Sequence, residues 1–326
     1  MPEVTNPRRD AQEVVRDGSE ARVLEPSPPA DLDPSWYADD PTDPGGVPAD
    51  SLVTPIPEEG TAWSVAADED ERVASFAHDH WLDGRRTLHP LPSGYHECRR
   101  ALHQVAFFAI APRRHRANRK LGLRYTHRGF GTPFFREGER DTQVRVEGTL
   151  VVVQSGDAID VEPITTVRET ARFLGLDYST EWFDGFHDPL QPADPDADLH
   201  LDEEAASAIG AWFGFATHVL ERARRTPGAA DVSRVQLWPE HFDPAFEMGS
   251  SDRGSRASYG ASPGDEAHPE PYLYVGAWAE LDRTDAFWNA PSFNGARLGY
   301  DALLASEDPY GAAVEFYGEA HTKLTE

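Results

Sequence analysis

The stretch LWPEHFDPAFEMG at 237–249 combines an imidazole and carboxylates in one alternating pattern. His241, Asp243 and Glu247 occupy alternate positions of this pattern, among mostly apolar residues. Because side chains of a β-strand point alternately to its two faces, a strand here would place all three groups on one face. Such a row is suited to bind a polar ligand or a metal ion, or to exchange protons with a substrate. A solvated edge strand is the alternative, since Pro244 cannot donate a ladder hydrogen bond.

A long Gly- and Ser-rich segment follows this strand and ends in a second group of polar residues, before the predicted strand PYLYVGAW. If the segment folds back, the two groups meet at one end of a sheet. We therefore predict a binding site for a small polar ligand. Its candidate residues are His241, Asp243, Glu247, Asp265, His268 and Glu270.

The same residues could form a metal-dependent hydrolase, because imidazole and carboxylate ligands suit zinc, manganese or iron. His241, Asp243 and His268 would then bind the divalent metal, and Glu247 or Glu270 would be the catalytic base. No HExxH or EF-hand spacing accompanies them. A divalent metal therefore stays one alternative beside ligand binding without a metal and a purely structural role.

A basic segment is the second chemical signal. Residues 98–136 contain no Asp or Glu but ten of the 30 Lys and Arg residues of the chain. Arginine side chains bind phosphate and carboxylate groups in a bidentate way, so Arg114 and Arg124 are candidates to face the predicted site. Alternatively the segment pairs internally with acidic loops or with another subunit, which we favour, or binds the chain's own acidic N-terminal arm. A basic segment that pairs with the arm or with a partner would indicate a non-enzymatic interaction protein.

Composition excludes several classes of function. The formal net charge of −27 repels nucleic acids and anionic membranes, so we expect neither as a partner. No stretch approaches the roughly 18 apolar residues of a membrane span, and we expect a cytoplasmic protein. Cys98 is the only cysteine, which excludes an intrachain disulfide. No phosphate-loop, dinucleotide-binding or nucleophile-elbow motif is present, so no nucleotide cofactor is expected.

The elements that would position these residues alternate between two periodicities. Apolar spacing predicts helices after Gly94, at about 202–225 and at the end of the chain, and strands within 122–161, 232–248 and 271–278. Short links between consecutive strands favour antiparallel pairing. The expected class is α+β, with mainly antiparallel sheets packed by several helices.

Domain organisation follows from a shift in composition. Residues 1–60 contain 11 prolines and 14 acidic residues, which predicts a disordered acidic arm. Residues 61–326 are predicted to form a single α+β domain, with a possible division into two subdomains near 190–200, where an acidic Pro-rich loop occurs.

Three stretches resemble an uncharacterised bacterial family, a domain of unknown function. They are RALHQVAFFAIAPRRH with GLRYTHRGFGTPFF, then VQLWPEHFDPAFEMG, and SYGASPGDEAHPEPYLYVGAW. The resemblance spans about 80–320 and implies that this region is one unit. It carries no catalytic residues with it.

Overall fold

The computed structural model describes residues 88–126, 128–137, 140–156, 158–183, 189–282 and 284–326. The predicted disordered arm at 1–60 lies outside the described residues. The helices of the described part are α1 (Tyr95–Val105), α2 (Ala111–Asn118), α3 (Val167–Phe173), α4 (Glu203–Ala223), α5 (Tyr300–Leu304) and α6 (Pro309–Thr325). A π-helical turn (Ala106–Ile110) joins α1 to α2.

The first sheet is antiparallel and follows a simple meander. Its strands are β1 (Arg124–Thr126), β2 (Gly129–Gly131), β3 (Phe135–Glu137), β4 (Arg140–Glu147), β5 (Leu150–Ser155) and β6 (Ala158–Pro163). The strand order is β1-β2-β4-β5-β6, and β3 also pairs with β4. Gly148 has a φ of 59° in the tight turn between β4 and β5, a backbone conformation that favours glycine.

The second sheet carries the candidate site. Its strands are β7 (Gln236–Trp238), β8 (Asp243–Met248), β9 (Ala257–Ser262), β10 (Tyr272–Ala277) and β11 (Gly295–Gly299), in the order β11-β10-β9-β8-β7. All neighbouring strands are antiparallel. The predicted α+β class with antiparallel sheets is confirmed.

The two sheets meet at their edges. Leu123, just before β1, and Leu237 on β7 exchange both backbone hydrogen bonds, at 2.7 and 2.8 Å. Helix α4 packs on strands of both sheets. Gly210 allows this close approach, because a Cβ atom there would overlap the backbone of Arg128. Buried apolar residues from both sides of 190–200 belong to one continuous cluster around α4.

Local sequence signals explain most helix ends. Thr166 accepts a hydrogen bond from the backbone of Glu169 at the start of α3, and Asp202 does the same for Ala205 at the start of α4. A proline usually ends a helix, but the helical run continues through Pro112. The π-helical turn shifts the hydrogen-bond register so that Pro112 lies in the first turn of α2, where no backbone N–H is needed.

Candidate functional site

The candidate site lies at one end of the outer face of the second sheet, the face turned away from α4. Register places Ala245 opposite Gly260, and Gly260 opposite Tyr274. Because alternate residues share a face, Asp243 and Tyr274 both point outward, on two strands separated by β9. The opposite faces of these strands carry core residues such as Phe246, which is buried.

Asp243 and Tyr274 form a hydrogen bond across the central strand. The Tyr274 ring lies over Gly260, where a Cβ atom would overlap the ring. Its hydroxyl group donates to Oδ2 of Asp243 at 2.5 Å. A glycine at 260 is therefore required for the two side chains to reach each other.

Asp243 is an unusual carboxyl group, because it is buried and only one of its two oxygens has a hydrogen-bond partner among the described residues. Its exposed fraction is 5%. Within the part of the chain that the structure describes, its Oδ1 atom has no hydrogen-bond partner. Burial raises the pKa of Asp243, and the charge of Glu240 adds to this effect, whereas His241 and the Tyr274 hydroxyl oppose it. A buried carboxyl group with a raised pKa and an unused oxygen is typical of a functional site.

The loop after β9 returns to this position, as the sequence predicts. The Tyr272 hydroxyl donates to Oδ2 of Asp265 at 2.6 Å. Oδ1 of Asp265 accepts from the backbone nitrogens of Ala267 and His268, both at 2.7 Å, which fixes the loop. The His268 ring lies 5.5 Å from the Tyr272 ring, and the Tyr272 ring lies 6.2 Å from that of Tyr274. Asp265 and His268 are thus connected to Asp243 through two tyrosines rather than by direct contact.

Helix α1 supports both loops beside Asp243 with a stripe of three polar side chains, Tyr95, Arg99 and His103. The Tyr95 hydroxyl donates to the carbonyl oxygen of Pro263 at 3.1 Å. Arg99 lies 3.4 Å from Glu266. These contacts tie α1 to the loop at 263–271. The spacing of four residues that produces the stripe is visible in the sequence, but only the fold shows which loops it meets.

His103 completes the stripe at the other loop. Its Nε2 atom lies 3.0 Å from the carbonyl oxygen of Pro239 and 3.2 Å from that of Glu240. The ring also stacks on Phe242 at 5.2 Å. Burial lowers the pKa of His103 to about 4, so the imidazole is neutral at pH 7 and donates from Nε2. It holds the turn between β7 and β8 as a neutral anchor.

Two further buried polar atoms near this edge resemble Oδ1 of Asp243. Among the described residues, Nε of Arg99 and one carboxylate oxygen of Glu240 have no hydrogen-bond partner. Arg99 acts electrostatically on His103, which contacts the backbone of Glu240. A donor and two acceptors are therefore left unused around one corner of the sheet, where a ligand could pair with them.

His241 does not lie on the strand, contrary to the prediction. β8 begins at Asp243, and Phe242 has a φ of 57°, in the left-handed region. The Phe242 ring is buried between the rings of Phe130 and Phe213, at 5.0 Å from each. This burial outweighs the local strain and turns His241 outward, where it is exposed. The charge of His241 lowers the pKa of Asp243.

The remaining predicted ligands lie elsewhere. Glu247 shares the outer face with Asp243, as predicted, but pairs with Arg256 at 2.6 Å towards the other end of β8. Glu270 is exposed. Arg114 is buried and donates to the carbonyl oxygen of Gly122. Arg124 lies on β1 of the first sheet.

Part of the basic segment pairs with acidic residues inside the molecule. Arg113 donates to Glu137 at 2.7 Å. Arg128 lies 4.0 Å from Glu203. With the Arg99–Glu266 contact, these pairs join the segment to acidic residues of other elements.

No three His, Cys, Asp or Glu side chains of the described ranges lie close enough together to bind a metal ion. The structure thus leaves His241, Asp243 and His268, the predicted metal ligands, without a shared centre. Cys98 is buried, and burial raises the pKa of its thiol to about 11, so it is unreactive at neutral pH.

Comparison with known proteins adds no relative. No family model matches the chain, and neither the curated proteins nor the solved structures contain a significant match. The resemblance to an uncharacterised bacterial family stays a prediction. Within the described residues, every helix is too short or too polar to cross a membrane.

Proposed function

We propose that this protein binds a small polar ligand at the corner of the second sheet around Asp243. The observation that carries the proposal is the Oδ1 atom of Asp243, which is buried and has no donor among the described residues. An unpaired buried acceptor costs about 1–3 kcal/mol, a cost that a ligand donor would remove.

The ligand should contribute a hydrogen-bond donor, and an ammonium group fits best. A cation near Asp243 would favour its ionised form and offset the burial that raises its pKa. The formal net charge of −27 would also attract cationic groups from solution. Tyr272 and Tyr274 add aromatic rings next to the carboxyl group, and such rings interact favourably with cations.

An acceptor on the same ligand would match Arg99. The Nε atom of Arg99 is buried and unpaired among the described residues, although its Nη2 atom reaches Glu266. A guanidinium group binds a carboxylate more strongly than a neutral acceptor. Small zwitterions that join an ammonium and a carboxylate group, such as free amino acids, therefore form the ligand class that we propose.

Calorimetric titration tests this function directly. The probes are the common L-amino acids, each compared with the amine and the carboxylic acid that contain only one of its charged groups. The variant Asp243→Asn keeps the shape and removes the charge, and Asp252→Asn at an exposed position is the matched control. A charge-assisted hydrogen bond contributes about 1.5–3 kcal/mol, so Asp243→Asn should weaken binding roughly tenfold or more.

The result expected is binding of at least one zwitterion, lost in Asp243→Asn and retained in Asp252→Asn. Absence of heat from every amino acid at concentrations up to about 10 mM would overturn the proposal, since affinity weaker than this is not specific recognition. Equal binding by the wild type and Asp243→Asn would overturn it as well.

A further inference from the structure

A second candidate site, separate from the corner around Asp243, is a cavity of about 170 Å³ beside the end of α2. The segment after α3 closes its other side. Its wall consists of Phe108, Pro112, His115, Arg116, Arg119, Leu176, Asp177, Ser179 and Trp182. The volume is far above the 10–15 Å³ or so that one water needs by this measure, and it is too small for a dinucleotide.

Two arginines give this cavity its charge. Arg116 donates from Nη1 to the carbonyl oxygen of Gly175 at 2.5 Å, which holds its guanidinium group at the rim. Arg119 ends α2 with a φ of 63°. Within the described ranges neither arginine has a carboxylate partner, in contrast to Arg113 of the same helix, which pairs with Glu137.

The position of these cations is consistent with an anion between them. Their attraction to the carbonyl groups at the end of α2 explains why a helix tolerates one of them there. It does not explain two guanidinium groups around one hollow, where Asp177 is the single carboxylate among the described residues of the wall. A bound anion would compensate the positive charge that Asp177 leaves, and guanidinium groups bind phosphate and carboxylate oxygens with well-defined geometry.

The rest of the wall is aromatic and apolar. The ring of Trp182 lies 5.1 Å from that of Phe107 and 5.8 Å from that of His115. Burial, together with the charge of Arg119, lowers the pKa of His115, so its ring is neutral at pH 7. Phe108, Pro112 and Leu176 complete a surface suited to a flat apolar group.

We propose that this cavity binds a small aromatic anion, a benzoate-like carboxylate or an aryl phosphate. The anionic group contacts Arg116 and Arg119, and the ring packs against Trp182. Asp177 and Ser179 lie in the same wall and accept hydrogen bonds from a hydroxyl group on the ring. The carboxylate of Asp177 also disfavours ligands with a second negative charge on that side.

Calorimetric titration of the full chain tests the cavity. Benzoate and phenyl phosphate are the probes, acetate and inorganic phosphate are the anions without a ring, and benzyl alcohol is the ring without an anion. Arg119→Gln removes one cation from an exposed position, so it should fold normally. Arg253→Gln is the control, because Arg253 is exposed and carries the same charge elsewhere on the surface.

We expect one or both aromatic anions to bind more tightly than all three comparison probes, and the tighter of the two identifies the anionic group. Arg119→Gln should weaken binding roughly tenfold, and Arg253→Gln and Asp243→Asn should leave it unchanged. Equal binding of inorganic phosphate and phenyl phosphate, or of acetate and benzoate, would overturn the role of the ring. Equal weakening by Arg119→Gln and Arg253→Gln would overturn the role of the cavity.

Discussion

The hydroxyl group of Tyr274 reaches Asp243 across an entire strand, and the hydrogen bond between them is 2.5 Å long. The two residues lie on β10 and β8, with Gly260 of β9 beneath the tyrosine ring. In a sheet, diagonal neighbours on adjacent strands interact easily, but contact over two strands needs a long side chain and a flat surface between. The site therefore depends on small residues in the middle of the sheet.

Replacing Gly260 by alanine should break this relationship. The new methyl group would overlap the Tyr274 ring, so the ring must move and the hydroxyl group must leave Asp243. Overpacking of this kind costs about 1–3 kcal/mol, and the lost hydrogen bond adds to it. Urea unfolding of Gly260→Ala should show the loss.

Gly276 offers a matched control on the same face of the neighbouring strand. A Cβ atom there would meet no other atom within 4 Å. Gly276→Ala should therefore change the free energy of unfolding by less than about 0.5 kcal/mol, as at ordinary surface positions. Similar losses in both variants would show that the Tyr274 ring is not the cause.

Asp243→Asn should alter the pH dependence of stability in a defined direction. The folded-state pKa of Asp243 is raised above the ordinary value of 3.8, because burial disfavours the charge. The folded state thus binds the proton more tightly than the unfolded state. This stabilisation is complete below the unfolded pKa and is lost as pH rises through the folded pKa. In Asp243→Asn, which has no titrating group at this position, the free energy of unfolding should lack this decrease with rising pH.

Urea unfolding from pH 4 to pH 8 measures this effect. The stability of the wild type relative to Asp243→Asn should be highest at pH 4 and should fall as pH increases. At pH 8 the stability advantage of the wild type over the variant should be smallest, because the raised pKa of Asp243 stabilises the folded state least at high pH. A difference that is constant with pH, or that grows with pH, would contradict the raised pKa.

Much of the site's framework is predictable, but its central strand is not. The β-branched and aromatic sequences of β5 and β10 identify them as strands. The sequence predicts a Gly/Ser-rich loop over ASYGAS, the residues of β9, and this prediction is wrong. The glycine, alanines and serines of β9 have low strand propensity, and β9 is held in the sheet by its pairing with β8 and β10 and by the Tyr274 ring over Gly260. Such tertiary packing cannot be inferred from local composition.

Some site side chains can also be predicted from the sequence, and others cannot. Asp243 was identified from alternation, and Asp265 and His268 from a loop expected to fold back, and all three lie at or beside the site. The alternation predicts His241 on the strand, but the strand begins at Asp243, because the left-handed backbone of Phe242 breaks the alternation. Arg99 was not predicted as a site residue, because its role depends on how α1 packs against loops about 140 to 170 residues away.

His103 should make the protein sensitive to mild acid. Its folded-state pKa of about 4 lies below the ordinary value of 6.5, mainly through burial. Protonation therefore favours the unfolded state, and stability is lost as pH falls from about 6.5 to about 4, by up to about 3 kcal/mol. In His103→Gln, which removes the titrating group, the free energy of unfolding should fall less over this range. His96→Gln is the control, because it removes an exposed imidazole from the same helix.

The buried ion pair of the first sheet should respond more to the loss of one partner than to the loss of both. Arg145 and Glu147 are buried on one face of β4, with Nε and Oε1 2.6 Å apart. Glu147→Gln removes the negative charge 2.6 Å from a buried guanidinium group, so urea unfolding should show a loss of about 3–5 kcal/mol. The double variant Arg145→Met with Glu147→Leu removes both charges and should lose less stability.

The control for this prediction is Asp196→Asn, in an exposed pair with Arg168, which should cause no measurable change in stability. A double variant less stable than Glu147→Gln would mean that the arginine stabilises the sheet by its other contacts, such as that to Gln154, rather than by its charge pair.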